Sequence, residues 1–150
     1  MSTLFMETTT IDPARTVAEL TGLLARGKAQ AILTEFDPQG EVAGVSFRID
    51  VGGQLVPFKL PCRWEQIFEL LKQRGRRRWM TERQKAALQQ KAKRVAWRQL
   101  LRWVQAQLAL IETQMVKVEE VFLPYVQLTG GQTLYEKVAG NNFLGLEHKP

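Results

Sequence analysis

The side chains in this sequence best suited to molecular recognition form one short run: Arg76, Arg77 and Arg78, followed directly by Trp79. A guanidinium offers a planar fork of donors that grips phosphate through two bonds, where lysine acts as a point charge. An indole beside three such groups can stack on an unpaired base while the arginines hold its backbone, an interaction worth about 1–3 kcal/mol per base. The competing use of Trp79 is structural, as a hydrophobic staple formed with Met80 at the start of the next helix. Downstream, Arg83, Lys91, Arg94, Arg98 and Arg102 continue the positive series. On a helical wheel Lys91, Arg94, Arg98 and Arg102 fall within about 80° of one another. The apolar stripe Trp97, Leu100, Leu101, Val104, Leu108, Ile111 and Met115 lies roughly opposite, so one face is expected to pack and the other to be positive.

The charge is concentrated as well as patterned. Of the chain's 21 lysines and arginines, 12 lie between Lys72 and Arg102 with a single acid, Glu82, for a segment charge of about +11. The remainder, 9 basic residues against 14 acidic ones, is near −5. Like charges four apart on a helix, such as Arg94 with Arg98, destabilise it by about 0.2–0.5 kcal/mol. A helix kept only for structure would intersperse glutamates, so the unmixed run points to a polyanionic partner.

Catalytic constellations are absent from the sequence. His148, the only histidine, lies near the C-terminus, and Cys62 is the only cysteine, which leaves no zinc set of the usual Cys/His spacing and no internal disulfide. Cys62 follows Pro61 in an apolar context and reads as a buried, inert thiol. Metal-dependent nuclease chemistry needs carboxylates converging on a cation. Asp50 stands alone on a strand, Asp37 and Glu41 flank a turn, and Glu119 with Glu120 read as solvated helix residues. Neither Gly52-Gly53 nor Gly130-Gly131 is followed by the Lys-Ser or Lys-Thr of a phosphate-binding loop. No enzyme, metal or cofactor is expected.

The elements that position the basic segment are legible. Asp12 and Pro13 suit the N-cap and first position of a helix over about 13–26, closed by Gly27. Val45, Phe47, Ile49 and Val51 alternate with polar residues, and Gly52-Gly53 fits a two-residue hairpin turn. Counting outward from it sets Val51 opposite Gln54, Ile49 opposite Val56, Phe47 opposite Phe58 and Val45 opposite Leu60. Ala29 to Phe36 adds another strand through the turn Asp37-Pro38-Gln39-Gly40, and Pro57 places the third strand at an edge or a bulge. Arg48 and Lys59 project from the polar face of this meander, where they would extend a positive groove if the long helix lay beside them. A short helix from Trp64 to about Lys72 follows, then Thr81 caps a long helix running to about Met115 or beyond.

The resulting expectation is α+β: an N-terminal helix, a three-stranded antiparallel meander, a short helix, a long basic amphipathic helix and a small C-terminal appendage. Residues 1–11 are read as a flexible N-terminus, 12–140 as a single domain and 141–150 as a loose tail. The α-β-β-β-α order is similar in outline to the double-stranded-RNA-binding domain. That family's second helix starts directly after the third strand with a lysine-rich anchor; here a helix intervenes and Lys91-Ala-Lys-Arg lies inside the long helix, so the likeness is topological and carries no function. The functional expectation is a small non-enzymatic nucleic-acid-binding protein, with single-stranded DNA or structured RNA favoured, contacting its partner through Arg76, Arg77, Arg78, Trp79, Arg83, Lys91, Arg94, Arg98 and Arg102. The alternative is an adaptor or inhibitor whose basic ridge docks on an acidic protein surface, such as an enzyme's nucleic-acid cleft. Neither a signal-like N-terminus nor an apolar run of about 18 residues is present, so no membrane partner and a cytoplasmic location are expected. The apolar residues of the long helix, Trp103, Leu108, Ile111 and Met115, continuing toward Val118, Val121 and Phe122, raise the expectation of a homodimer through it.

Overall fold

Helix α1, Pro13–Arg26, begins where Asp12 Oδ1 accepts the Ala14 amide at 2.8 Å, with Pro13 in the first turn. Its inward residues Val17, Leu20 and Leu24 are buried. Gly27 closes the helix, but with φ of −79° it does not use glycine's conformational freedom. A Cβ at this position would meet Leu108 Cδ2 at 2.8 Å, so that side chain would have to move to admit one. The left-handed position falls one residue later, on Lys28, with φ of 74°.

The computed structural model describes residues 3–75 and 79–146. Strands β1 (Ala29–Phe36), β2 (Val42–Val51) and β3 (Gln54–Pro61) form an antiparallel sheet in the order β1-β2-β3. The hairpin register is the one read from the sequence, with Val51 opposite Gln54, Ile49 opposite Val56, Phe47 opposite Phe58 and Val45 opposite Leu60. Gly52 and Gly53 adopt φ of 59° and 88°, the pair of positive values that a primed turn requires, and Asp50 Oδ1 accepts the Gly53 amide. Pro57 sits on an outer strand without interrupting the register, and its carbonyl accepts the Gln127 amide at 2.9 Å. The β1–β2 pairing is less regular, with irregularities between Ala29 and Ala31 and between Glu35 and Phe36.

Helix α2, Trp64–Arg74, and helix α3, Glu82–Glu112, pack as a hairpin. Thr81 opens α3 with a reciprocal cap: its hydroxyl accepts the Gln84 amide and the Gln84 side chain accepts the Thr81 amide, both at 3.1 Å. Trp97, Leu101 and Val104 of α3 join α1 and the inner face of the sheet in the main core. A second, smaller cluster unites Phe68 and Leu71 of α2 with Ala92 of α3, packed by Leu4, Trp64, Ile67, Met80 and Leu88.

The long helix ends earlier than its apolar pattern implies. Gln114, with φ of 65°, reverses the chain; its amide bonds to Ile111 O and that of Met115 to Leu110 O. This is a Schellman closure made without glycine, which is why the sequence gives no stop signal. The reversal leads into α4, Val118–Phe122, a 3-10 turn, Leu123–Tyr125, and α5, Leu134–Gly140. Phe122 is fully buried, with its ring centroid 5.4 Å from Phe47, 5.9 Å from Phe58 and 5.6 Å from Trp103. The segment after α3 is therefore part of the core, and it covers Trp103, which also meets Tyr125. Among the described residues no helix is long and apolar enough to cross a membrane. Truncation of Phe122 to alanine is expected to cost about 3–5 kcal/mol, measured by urea unfolding, with loss of the near-ultraviolet circular dichroism of Trp103; a cost below 1 kcal/mol would show that the appendage is not needed to close the core.

Candidate nucleic-acid interface

The α2–α3 hairpin carries the basic segment, and it touches the β1–β2 connection where Gln90 and Lys93 meet Glu41. Fifteen residues separate Glu82 from Trp97, the first α3 residue in the main core, which at 1.5 Å per residue is about 22 Å. The connection at its tip contains Arg76, Arg77 and Arg78, which lie outside the described residues, as does His148. Trp79 follows them with 78% of its surface exposed, more than any other large apolar side chain described. Met80, and not Trp79, supplies the apolar contact at the start of α3, packing in the second cluster. The indole is thus open to a ligand, and its staple role is filled by its neighbour.

The helix surface differs from an open stripe. Arg83, Lys85 and Arg102 are exposed and Lys91 and Arg94 are half-buried. Arg98 is buried, 4% exposed, with Nη1 2.6 Å from Glu19 Oε2 and 3.5 Å from Thr16 Oγ1 of α1. It cannot track a phosphate while it holds that pair, so the four-residue ridge expected from the wheel is interrupted at its third member. The wheel assumed one packing face, whereas α3 is flanked by α1, α2 and the sheet, and α1 covers the side on which Arg98 lies. Three residues still align: Arg83 and Arg94 are within about 20° of each other on the wheel, with Lys91 within about 80° of both. Among the described residues Arg83, Lys85, Lys91 and Arg94 form no ion pair, and the Nε of Arg94 is buried without a hydrogen-bond partner. Arg102 reaches Gln105 Oε1 at 2.8 Å.

Other cations in the segment are neutralised by acids from elsewhere in the chain. Lys93 pairs with Glu41 at 2.7 Å and lies 4.9 Å from the centre of the Trp64 ring. Arg74 pairs with Glu7 of the N-terminal segment. That segment, expected to be flexible over residues 1–11, is held where it is described: Leu4 enters the second cluster and the Phe5 carbonyl accepts from Gln99 Nε2 at 2.8 Å. Arg48 and Lys59 project from the face of the sheet away from α3, because Val45, Phe47, Phe58 and Leu60 of the same strands point into the helix layer. The condition for a shared positive groove is not met. Lys85, also exposed on the first turns of α3, lies off the Lys91–Arg102 face and about 160° round the helix from Arg83, so it does not join that row.

Among the described residues no group of three histidine, cysteine, aspartate or glutamate side chains is placed to hold a metal. Burial, with Glu65 nearby, pushes the Cys62 thiol up to about 12, so it is protonated and unreactive at neutral pH. No protein family, curated protein or solved structure matches the chain.

Substituting Arg98 by methionine is expected to lower stability by about 1–3 kcal/mol, tempered because Glu19 remains partly in water. Arg102→Ala should stay within about 0.5 kcal/mol of wild type. Denaturant midpoints that reverse this order would show that Arg98 is not a structural cation. Acid should loosen the N-terminal segment by a defined route. The Leu4 amide and then the Arg74 guanidinium hold the Glu7 carboxyl below its ordinary value of 4.5. A depressed carboxylate contributes stability above its unfolded pKa and loses it as pH falls through the folded one. Wild-type stability should therefore fall more steeply below about pH 4.5 than that of Glu7→Gln; parallel acid limbs would show that the pair contributes nothing.

Proposed function

We propose that this chain is a non-enzymatic nucleic-acid-binding protein that takes single-stranded DNA or unpaired RNA on the tip of the α2–α3 hairpin. The observation that carries the reading is Trp79, 78% exposed and next in sequence to three arginines. A free indole that follows three arginines in sequence makes no packing contact among the described residues to explain it, and stacking platforms beside phosphate-binding arginines are how unpaired strands are held without sequence readout. Trp79 receives a base, Arg76, Arg77 and Arg78 hold the flanking phosphates, and Arg83 with Lys91 and Arg94 carry the backbone along the first turns of α3. Arg98 belongs to the scaffold in this reading, and Arg102 lies beyond the break it makes. A base must be unstacked to reach Trp79, which favours single strands and loops over a regular duplex.

Binding should weaken with salt at a log–log slope of about −0.7 per phosphate contacted, near −3 to −5 for this footprint. Trp79→Ala should lower affinity for a labelled oligonucleotide roughly 5- to 150-fold with little change in that slope. The Arg76/Arg77/Arg78 triple alanine should lower both affinity and slope. Oligonucleotide binding by the triple variant equal to wild type at low salt would remove the basis for the proposal. Capture of an acidic protein from nuclease-treated lysate, combined with only millimolar oligonucleotide affinity, would replace it with the adaptor reading.

A further inference from the structure

The two edges of the sheet are treated differently by the chain. On the β3 side, Gln127 bonds to the Pro57 carbonyl and Val126 forms a bridge with Phe58, so the returning appendage occupies that edge. On the β1 side, among the described residues, no backbone bond is made to any segment except β2. The alternate amides and carbonyls of β1 therefore face solvent as an unfilled ladder. Such edges are commonly guarded by proline, charged side chains or bulges; between the two irregularities, the stretch from Ala31 to Thr34 carries neither proline nor charge. Instead Leu33 is 59% exposed and Phe36 is 62% exposed along it. The pairing irregularities lie at its two ends, leaving Ala31 to Glu35 in regular register with β2.

The charges at the ends of β1 say what fits there. Arg26 and Lys28 precede the strand, exposed; Glu35 and Asp37 stand at its far end. Among the described residues Lys28 and Glu35 have no ion-pair partner. A strand that is positive at one end and negative at the other is complementary to its own reversed copy. The geometry points to a second copy of this chain as the occupant: β1 pairs antiparallel with β1 of the other subunit, forming one continuous six-stranded sheet. With the twofold near Ile32, Leu33 falls opposite Ala31 of the second copy within the regular stretch, and beyond it the Lys28 end of one strand lies toward the Glu35 and Asp37 end of the other. The contact occurs twice, as a twofold interface requires. A twofold perpendicular to the sheet keeps both helix layers on one side. This interface is independent of the nucleic-acid reading, and it differs from a dimer through α3, whose Trp103 is already covered by Phe122 and Tyr125.

The test is the mass of the full chain by analytical ultracentrifugation from low to high micromolar concentration. Wild type is expected to dimerise. Leu33→Lys, at a position already open to solvent, should sediment as a monomer with an unchanged thermal transition. Lys28→Glu and Glu35→Lys should each weaken the dimer about tenfold, as unmatched like charges do across an interface, and the two together in one chain should regain part of the loss, since the signs at 28 and 35 exchange while Asp37 keeps its own. The inference is overturned if wild type is monomeric throughout, if Leu33→Lys leaves the dimer intact, or if Met115→Lys on the α3 side abolishes it while Leu33→Lys does not.

Discussion

Phe122 is the ring on which the arrangement depends. It stands edge-on to Phe47 and Trp103 and tilts over Phe58, which joins the sheet, the long helix and the returning appendage in one contact. Full burial of such a side chain contributes about 1.5–3 kcal/mol by transfer alone, and aromatic pairs add about 0.5–1.5 kcal/mol each. The left-handed backbone at Gln114, which costs about 1–2 kcal/mol for a residue other than glycine, is offset by what it delivers. Without that reversal α3 would run on into solvent and Trp103 would have no cover. Because the C-terminal half of α3 is held this way, its N-terminal half can project as one arm of a hairpin, stabilised by the smaller cluster around Phe68 and Ala92.

Fixing α3 in this position also divides its charge into two populations. Where the helix hairpin touches the body of the protein, acids from the otherwise negative remainder meet it: Glu19 from α1, Glu41 from the β1–β2 connection and Glu7 from the N-terminal segment. These pairs are partly buried, and each removes one cation from any outside partner. Toward the start of α3, among the described residues, Arg83, Lys85, Lys91 and Arg94 form no ion pair, although the Glu7 carboxylate lies within electrostatic reach of Lys91. The unpaired positive surface is therefore shorter than the run of basic residues in the sequence, and it is centred nearer to Trp79.

The α+β architecture was legible because its signals are local. Period-two alternation on both sides of Gly52-Gly53 leaves a single register that buries Val45, Phe47, Ile49, Phe58 and Leu60 together. Asp12-Pro13 and Thr81 with Gln84 mark helix starts through hydrogen bonds spanning two or three residues. One local reading missed: Gln114 ends α3 in a conformation usually left to glycine, so composition gave no warning. Gly27 does cap α1 as its position suggests, while the approach of Leu108 to it is something a sequence does not display.

The candidate site was legible as chemistry and incomplete as a surface. Residue types and order were enough to mark a segment suited to phosphate and base contacts and to set aside the usual cysteine and histidine chemistries, because those follow from which functional groups the chain possesses. Which of those groups face water depended on the packing of distant segments. Arg98 and Arg102 are four residues apart and alike on a wheel, yet α1 lies over one and not the other, so one is a buried partner of Glu19 and the other is exposed. Trp79 and Met80 are adjacent apolar residues, and the α2–α3 packing takes the methionine and leaves the indole outside. Covalent order settles the inventory and the local geometry; burial, being a property of several segments at once, is settled by how they come together.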